Sequence, residues 1–186
     1  MDIGSFVMEA GGIRWAMDFG MQNYNSLETA GVNLWGMAQN SQRWDVFRYN
    51  NYVHNTPTVN GKHQDVSGYA SIISWSGEPG VMNAVSDITP VYGEDLKKAV
   101  RGIAIVDESY VMVRDEIETK ESDAAVRWNL LTSAEVKIRG NNEAELTKEG
   151  KKLIIKVMEP AQVKISTRST VPPNDFDAPN PGTIMV

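Results

Sequence analysis

Lys98-Ala99-Val100-Arg101-Gly102-Ile103-Ala104-Ile105-Val106, then Asp107-Glu108-Ser109, then Tyr110-Val111-Met112-Val113-Arg114-Asp115-Glu116-Ile117-Glu118 is the stretch that decides the fold. Ile103 and Ile105 alternate with small residues, and Val111 and Val113 alternate with Tyr110 and Met112. That is the period of two of a β-strand, and the acidic turn between the runs makes the pair a hairpin. Working outward, Phe6 to Ala10 and Ile13 to Phe19 flank Gly11-Gly12, a doublet suited to a tight turn. Trp44 to Val53, Asn55 to Asn60, Tyr69 to Trp75 and Val81 to Thr89 read as further strands. After the central hairpin come Val126 to Leu131, Glu135 to Arg139, Glu143 to Thr147, Lys152 to Met158 and Gln162 to Ser166. Turn residues separate these runs at spacings of roughly 8–12 residues, the pattern of an antiparallel sandwich.

The expected fold class is therefore all-β: an antiparallel β-sandwich of many short strands with one long loop. That loop is 20–43, rich in Asn, Gln, Gly and Ser, with room for one short helix. So long a loop is more often functional than idle. No amphipathic helix, internal repeat or low-complexity segment stands out.

At 186 residues the chain suits one sandwich domain, 1–186. With 18 Lys+Arg against 24 Asp+Glu, its net charge of −6 argues against nucleic acid as the main partner. No apolar run approaches the roughly 20 residues that span a bilayer. Cysteine is absent, which removes disulfides, thiolate metal sites and cysteine nucleophiles. The start, Met1 to Ala10, has neither a basic n-region nor an apolar h-region and does not read as a signal peptide. The other end, Asn180-Pro181-Gly182-Thr183-Ile184-Met185-Val186, is a turn and a strand barely begun. The expectation is either a piece of a longer chain or a small domain with short terminal strands.

Chemistry is sparse. The two histidines are His54 and His63. His54 could be a ligand, a general base or a hydrogen-bonded structural residue. Asp18 ends an otherwise apolar strand, where a carboxylate is costly to bury unless paired or bound to a cation. Capping the Phe19-Gly20 turn and pairing with Arg14 are its other readings. His63 follows the Asn60-Gly61 turn and is expected to be exposed. Trp15, Trp35, Trp44, Trp75 and Trp128 could stack on sugars, but most lie in strand-like runs and read as core. Tyr24, Tyr49, Tyr52 and Arg48 are weak site candidates. Asp107-Glu108 and Asp115-Glu116 read as solvated hairpin residues. No phosphate loop, nucleophile elbow or dinucleotide fingerprint is present.

Three segments in order, Asp2-Ile3-Gly4-Ser5-Phe6, Arg14-Trp15-Ala16-Met17-Asp18-Phe19-Gly20 and His54-Asn55-Thr56 with Asn60-Gly61 after it, resemble the heparinase II/III-like polysaccharide lyases. Arg127-Trp128-Asn129-Leu130 and Asn180-Pro181-Gly182 fit the same pattern. The resemblance implies an N-terminal α/α toroid followed by a β-sandwich, with the lyase site between them. The family's sandwich opens on a His-x-His-x-Asp-x-Gly-type motif; here Asp2 and Gly4 match, and both histidines would precede Met1.

By the same resemblance, Asp18 and His54 correspond to two ligands of a metal, usually zinc, and the second upstream histidine to a third. The catalytic tyrosine and further catalytic residues belong to the toroid. The implied function is that of a sandwich domain that supports the cleft and a metal site of a β-eliminating lyase and is not active alone. Acidic polysaccharide, through the parent enzyme, and the toroid are its implied partners, and export to the periplasm or secretion its implied location. Because a heparin-binding surface should be basic and this chain is acidic, either the toroid supplies the basic groove or the substrate is a less sulfated polyuronide. The alternatives are a stand-alone carbohydrate-binding sandwich and an oligomerisation module that pairs strand edges in a homodimer.

Overall fold

The computed structural model describes residues 1–186. The opening hairpin forms as expected: β1 (Met8–Ala10) and β2 (Ile13–Ala16) pair across Gly11-Gly12, both at positive φ, which a glycine adopts without strain. The loop that follows contains one short helix, α1 (Tyr24–Thr29), whose first turn is capped by the Asn23 side chain accepting from Ser26 N.

The expected strand Trp44 to Val53 does not form. Two 3-10 turns, Gln42–Asp45 and Phe47–Tyr49, stand in its place. The cause is local. Asn50 Nδ2 donates to the carbonyls of Trp44 and Val46, and Asn50 Oδ1 accepts from Tyr52 N. Such side-chain bonds hold the backbone in turns that a ladder cannot share. Of the expected strand Asn55 to Asn60 only β3 (Thr58–Val59) forms.

β4 (Ser71–Ser76), β5 (Val81–Asp87), β6 (Leu96–Val106) and β7 (Tyr110–Thr119) make an antiparallel sheet in that order. The central hairpin turns at Asp107 and Glu108, both at positive φ, with Val106 opposite Tyr110 and Arg101 opposite Asp115. The expected strand Val126 to Leu131 is broken in two. β8 (Val126–Arg127) pairs with β3, while β9 (Leu131–Thr132) belongs to another sheet. A strand that changes sheets in this way turns a corner of a sandwich. β10 (Glu135–Ile138), β11 (Glu143–Lys148) and β12 (Lys151–Lys156) form a meander. The expected strand Gln162 to Ser166 has no ladder; Ile165 N donates a single bond to Asn141 O. β13 (Arg168–Ser169) and β14 (Ile184–Met185) complete the set, with β14 between β13 and β9.

The result is an all-β sandwich of short antiparallel sheets. Its core is divided. One cluster joins Ile13, Trp15 and Ala16 to Leu130, Ala144 and Leu146. A second lies under the long loop (Leu27, Leu34, Trp44, Val46), a third under the start of β6 (Val59, Ile88, Leu96, Ala99), and a fourth joins Val53, Leu131 and Met185. Trp15 and Trp44 are core, as expected, and Trp128 packs on the first cluster. Trp75 and Trp35 are not: they are 74% and 67% exposed. Trp75 lies on β4, an edge strand, and opposes Ala84, which in turn opposes Ile103, on a part of the sheet that extends beyond the covered core. No helix of the structure is long and apolar enough to cross a membrane.

Candidate metal centre and its polar frame

His54 and Asp18, 36 residues apart, meet: His54 Nδ1 lies 2.6 Å from Asp18 Oδ2. A carboxylate only accepts, so the proton of this bond sits on the ring. The His54 side chain is 6% exposed and that of Asp18 30%, which places the pair at the edge of the core with the carboxylate outward. Asp18 Oδ1 also accepts from Gly20 N at 2.7 Å, so the turn-capping reading holds together with the pairing. Arg14 is not its partner, because it pairs with Glu9 across the β1–β2 hairpin.

Burial pushes the Asp18 carboxyl up, but the hydrogen bond and charge of His54, the Gly20 amide and the positive amino terminus outweigh it, and its pKa falls below the ordinary value. A depressed carboxyl contributes stability that is fully present above the unfolded value of 3.8 and is lost as pH falls through the folded one. Urea unfolding from pH 7 downward should therefore show wild type more stable than Asp18→Asn at neutral pH, with the gap closing in the acid range below about pH 4. A gap independent of pH would mean that the charge of Asp18 contributes nothing.

The pair is held by the residues that follow His54. Asn55 is fully buried and uses both side-chain donors and its acceptor oxygen: Nδ2 donates to Phe6 O at 2.7 Å and Met17 O at 2.9 Å, and Oδ1 accepts from Leu131 N at 2.6 Å. Thr56 Oγ1 donates to Ile3 O at 2.7 Å, and Gln64 exchanges bonds with both the amide and the carbonyl of Ile3. Beneath them Arg101, 2% exposed at its side chain, donates to Gly4 O, Asn55 O and both oxygens of Asp115. Gly4 has a φ of 82°, and a Cβ there would stand 3.1 Å from Thr56 Oγ1, so the glycine is what lets the N-terminal segment press this close. Asp115 is thus not a solvated hairpin residue as expected, but the counter-ion of a buried arginine.

Residue reading missed Arg101. The signal was available in the hairpin register, since Val106 opposite Tyr110 sets Arg101 opposite Asp115.

The remaining candidates divide. Tyr24 and Tyr49 face Arg43, whose guanidinium is 5.8 Å and 5.1 Å from their ring centroids, and Tyr49 Oη donates to Gln22 O. Arg48 is held by Asn180 Oδ1 and Pro179 O and lies over the Phe19 ring, one residue from Asp18. His63 is half-buried rather than exposed, with its ring 4.7 Å from that of Tyr52. Burial lowers its pKa, the amino terminus adds to that, and Asp45 opposes it.

One imidazole and one carboxylate are donors that zinc accepts, and a cation would take the place of the proton they now share. They fit as part of a zinc site and fall short in number, because no group of three or more candidate ligands is present. No curated protein matches the chain. The family model "Heparinase II/III-like, C-terminal" matches residues 1–186, the whole chain. A β-sandwich whose Asp18 and His54 meet across the fold, and whose entire length fits that model, belongs to the heparinase II/III-like family as its C-terminal domain.

Proposed function

We propose that this domain is the sandwich half of a polysaccharide lyase that acts on uronic-acid-containing polysaccharide by β-elimination, and that it is not active alone. In such a reaction a base takes the proton at C5, an acid protonates the leaving oxygen, and donors stabilise the charge that develops on the carboxylate. The sandwich braces the cleft, and an α/α toroid supplies the proton-transfer groups. Asp18 and His54 hold a zinc ion with donors from outside the pair, and zinc bound there ties the strand end at Asp18 to the segment at His54. The location that goes with this reading is periplasmic or secreted.

The observation that carries the reading is the contact of Asp18 with His54, the two groups to which the family resemblance gives a ligand role, on segments pinned by Asn55 and Arg101.

The test is an assay of the purified chain on hyaluronan, chondroitin, heparan sulfate and alginate, following the absorbance of the unsaturated uronate product. The expected rate is that of a boiled control on every substrate. Product above that control would show that the sandwich carries its own acid and base, and would overturn the division of labour.

A further inference from the structure

Arg127 and Arg168 stand apart from the other arginines. Arg14, Arg101, Arg114 and Arg139 each pair with a carboxylate. Arg43, whose Nε also lacks a partner, is enclosed by three aromatic rings and donates to Leu34 O and Tyr24 Oη, and Arg48 is held by Asn180 and Pro179. Arg127 and Arg168 have no carboxylate within ion-pair distance, in a chain with 24 Asp+Glu to offer. Burial first, and then the charge of Arg168, lower the pKa of Arg127.

The guanidinium of Arg127 is also under-used. Its Nε is buried with no hydrogen-bond partner, and its one side-chain bond runs from Nη2 to Thr58 Oγ1 at 3.3 Å. It lies 5.9 Å from the centroid of the Tyr52 ring, which packs at a 40° tilt against His63. The sheet explains how Arg168 comes to the same place. Arg168 opposes Met185, and Met185 opposes Leu131, so all three share one face. Met185 and Leu131 pack with Val53, and Tyr52 lies against that cluster.

Two like charges held together without an acid, one with an orphaned buried donor, are incomplete electrostatically. Guanidinium forks match planar oxyanions, and an aromatic wall suits a sugar ring. We propose that Arg127 and Arg168 form an oxyanion subsite that takes the carboxylate or sulfate of an acidic saccharide, with Tyr52 as its wall. The saccharide identity rests on the lyase reading above; the anion preference rests on the arginine pair alone.

Arginine side-chain nitrogen–proton spectra test it on the intact chain. The probes are an unsulfated glucuronate-containing tetrasaccharide, a heparin tetrasaccharide and neutral cellotetraose. The Arg127 Nε–H signal should move with an acidic probe and stay fixed with the neutral one. Movement with the unsulfated probe assigns the carboxylate, and movement with the heparin probe alone assigns the sulfate. Arg168→Gln, at an exposed position, should weaken that binding by about tenfold or more, whereas Arg114→Gln on the distant sheet should change it less than about twofold. An Arg127 signal unmoved by every probe, or an Arg168→Gln variant that binds as wild type does, would overturn the subsite. Either result would leave the lyase reading standing, since product formation tests that reading separately.

Discussion

Arg101→Ala should be the most damaging single substitution in the chain, with an expected loss of about 3–5 kcal/mol in urea unfolding at pH 7. The Arg101 side chain is almost fully buried and donates to four acceptors: the two oxygens of Asp115, Gly4 O and Asn55 O. Truncation leaves Asp115 as a carboxylate without its counter-ion and strands two backbone carbonyls. A domain of this size has a total stability of about 5–15 kcal/mol, so the variant should be close to unfolding at physiological temperature. The double variant Arg101→Met with Asp115→Leu separates the two causes. Removing both charges removes the uncompensated ion, so the double variant should recover part of the loss. If the double variant is as unstable as Arg101→Ala, the damage lies in the severed bonds to Gly4 and Asn55 rather than in the orphaned charge.

Asn55→Ala should follow, with a loss of about 3 kcal/mol or more. The side chain ties three segments together: Phe6, Met17 and Leu131 each bond to it, beside a single direct backbone bond from Met17 N to Leu131 O. Alanine leaves two carbonyls and one amide unsatisfied in a fully buried place, and each such group costs about 1–3 kcal/mol unless water reaches it. The position also matters to the His54–Asp18 pair. Asn55 adjoins His54 and bonds to the carbonyl of Met17, which adjoins Asp18, so one side chain sets the approach of both candidate ligands. Asn55→Ala should therefore lose stability and loosen the His54–Asp18 contact together. Histidine ring nitrogen chemical shifts report the second effect. A destabilised variant with unchanged His54 shifts would show that the pair is positioned by other means.

The parts of the fold legible in the sequence are those where one local rule decides. The central hairpin follows from alternation at Ile103, Ile105, Val111 and Val113, and the opening hairpin from Gly11-Gly12. The reading failed where side chains replaced the ladder. Trp44, Val46, Tyr49 and Val53 are apolar enough for a strand, but Asn50 bonds to the local backbone and the segment coils into 3-10 turns. Val126 to Leu131 has uniform strand character, and nothing in those residues tells that Arg127 pairs with Thr58 while Leu131 pairs with Met185. Trp75 reads as core because exposure depends on whether a second layer covers that part of the sheet. At the site, the residue types of Asp18 and His54 raised several readings, and the family resemblance singled out one. Only the fold could bring the two together. Arg127 and Arg168 stayed hidden because their significance is a missing partner, which no linear pattern records.

The most direct measurement on the central claim is the melting temperature of the chain as zinc is raised into the millimolar range, with magnesium as the control. Wild type should melt higher in zinc and not in magnesium, and both His54→Gln and Asp18→Asn should lose the rise. A wild-type chain indifferent to zinc, or variants that respond as wild type does, would contradict a metal shared by Asp18 and His54 and leave their contact a plain hydrogen bond.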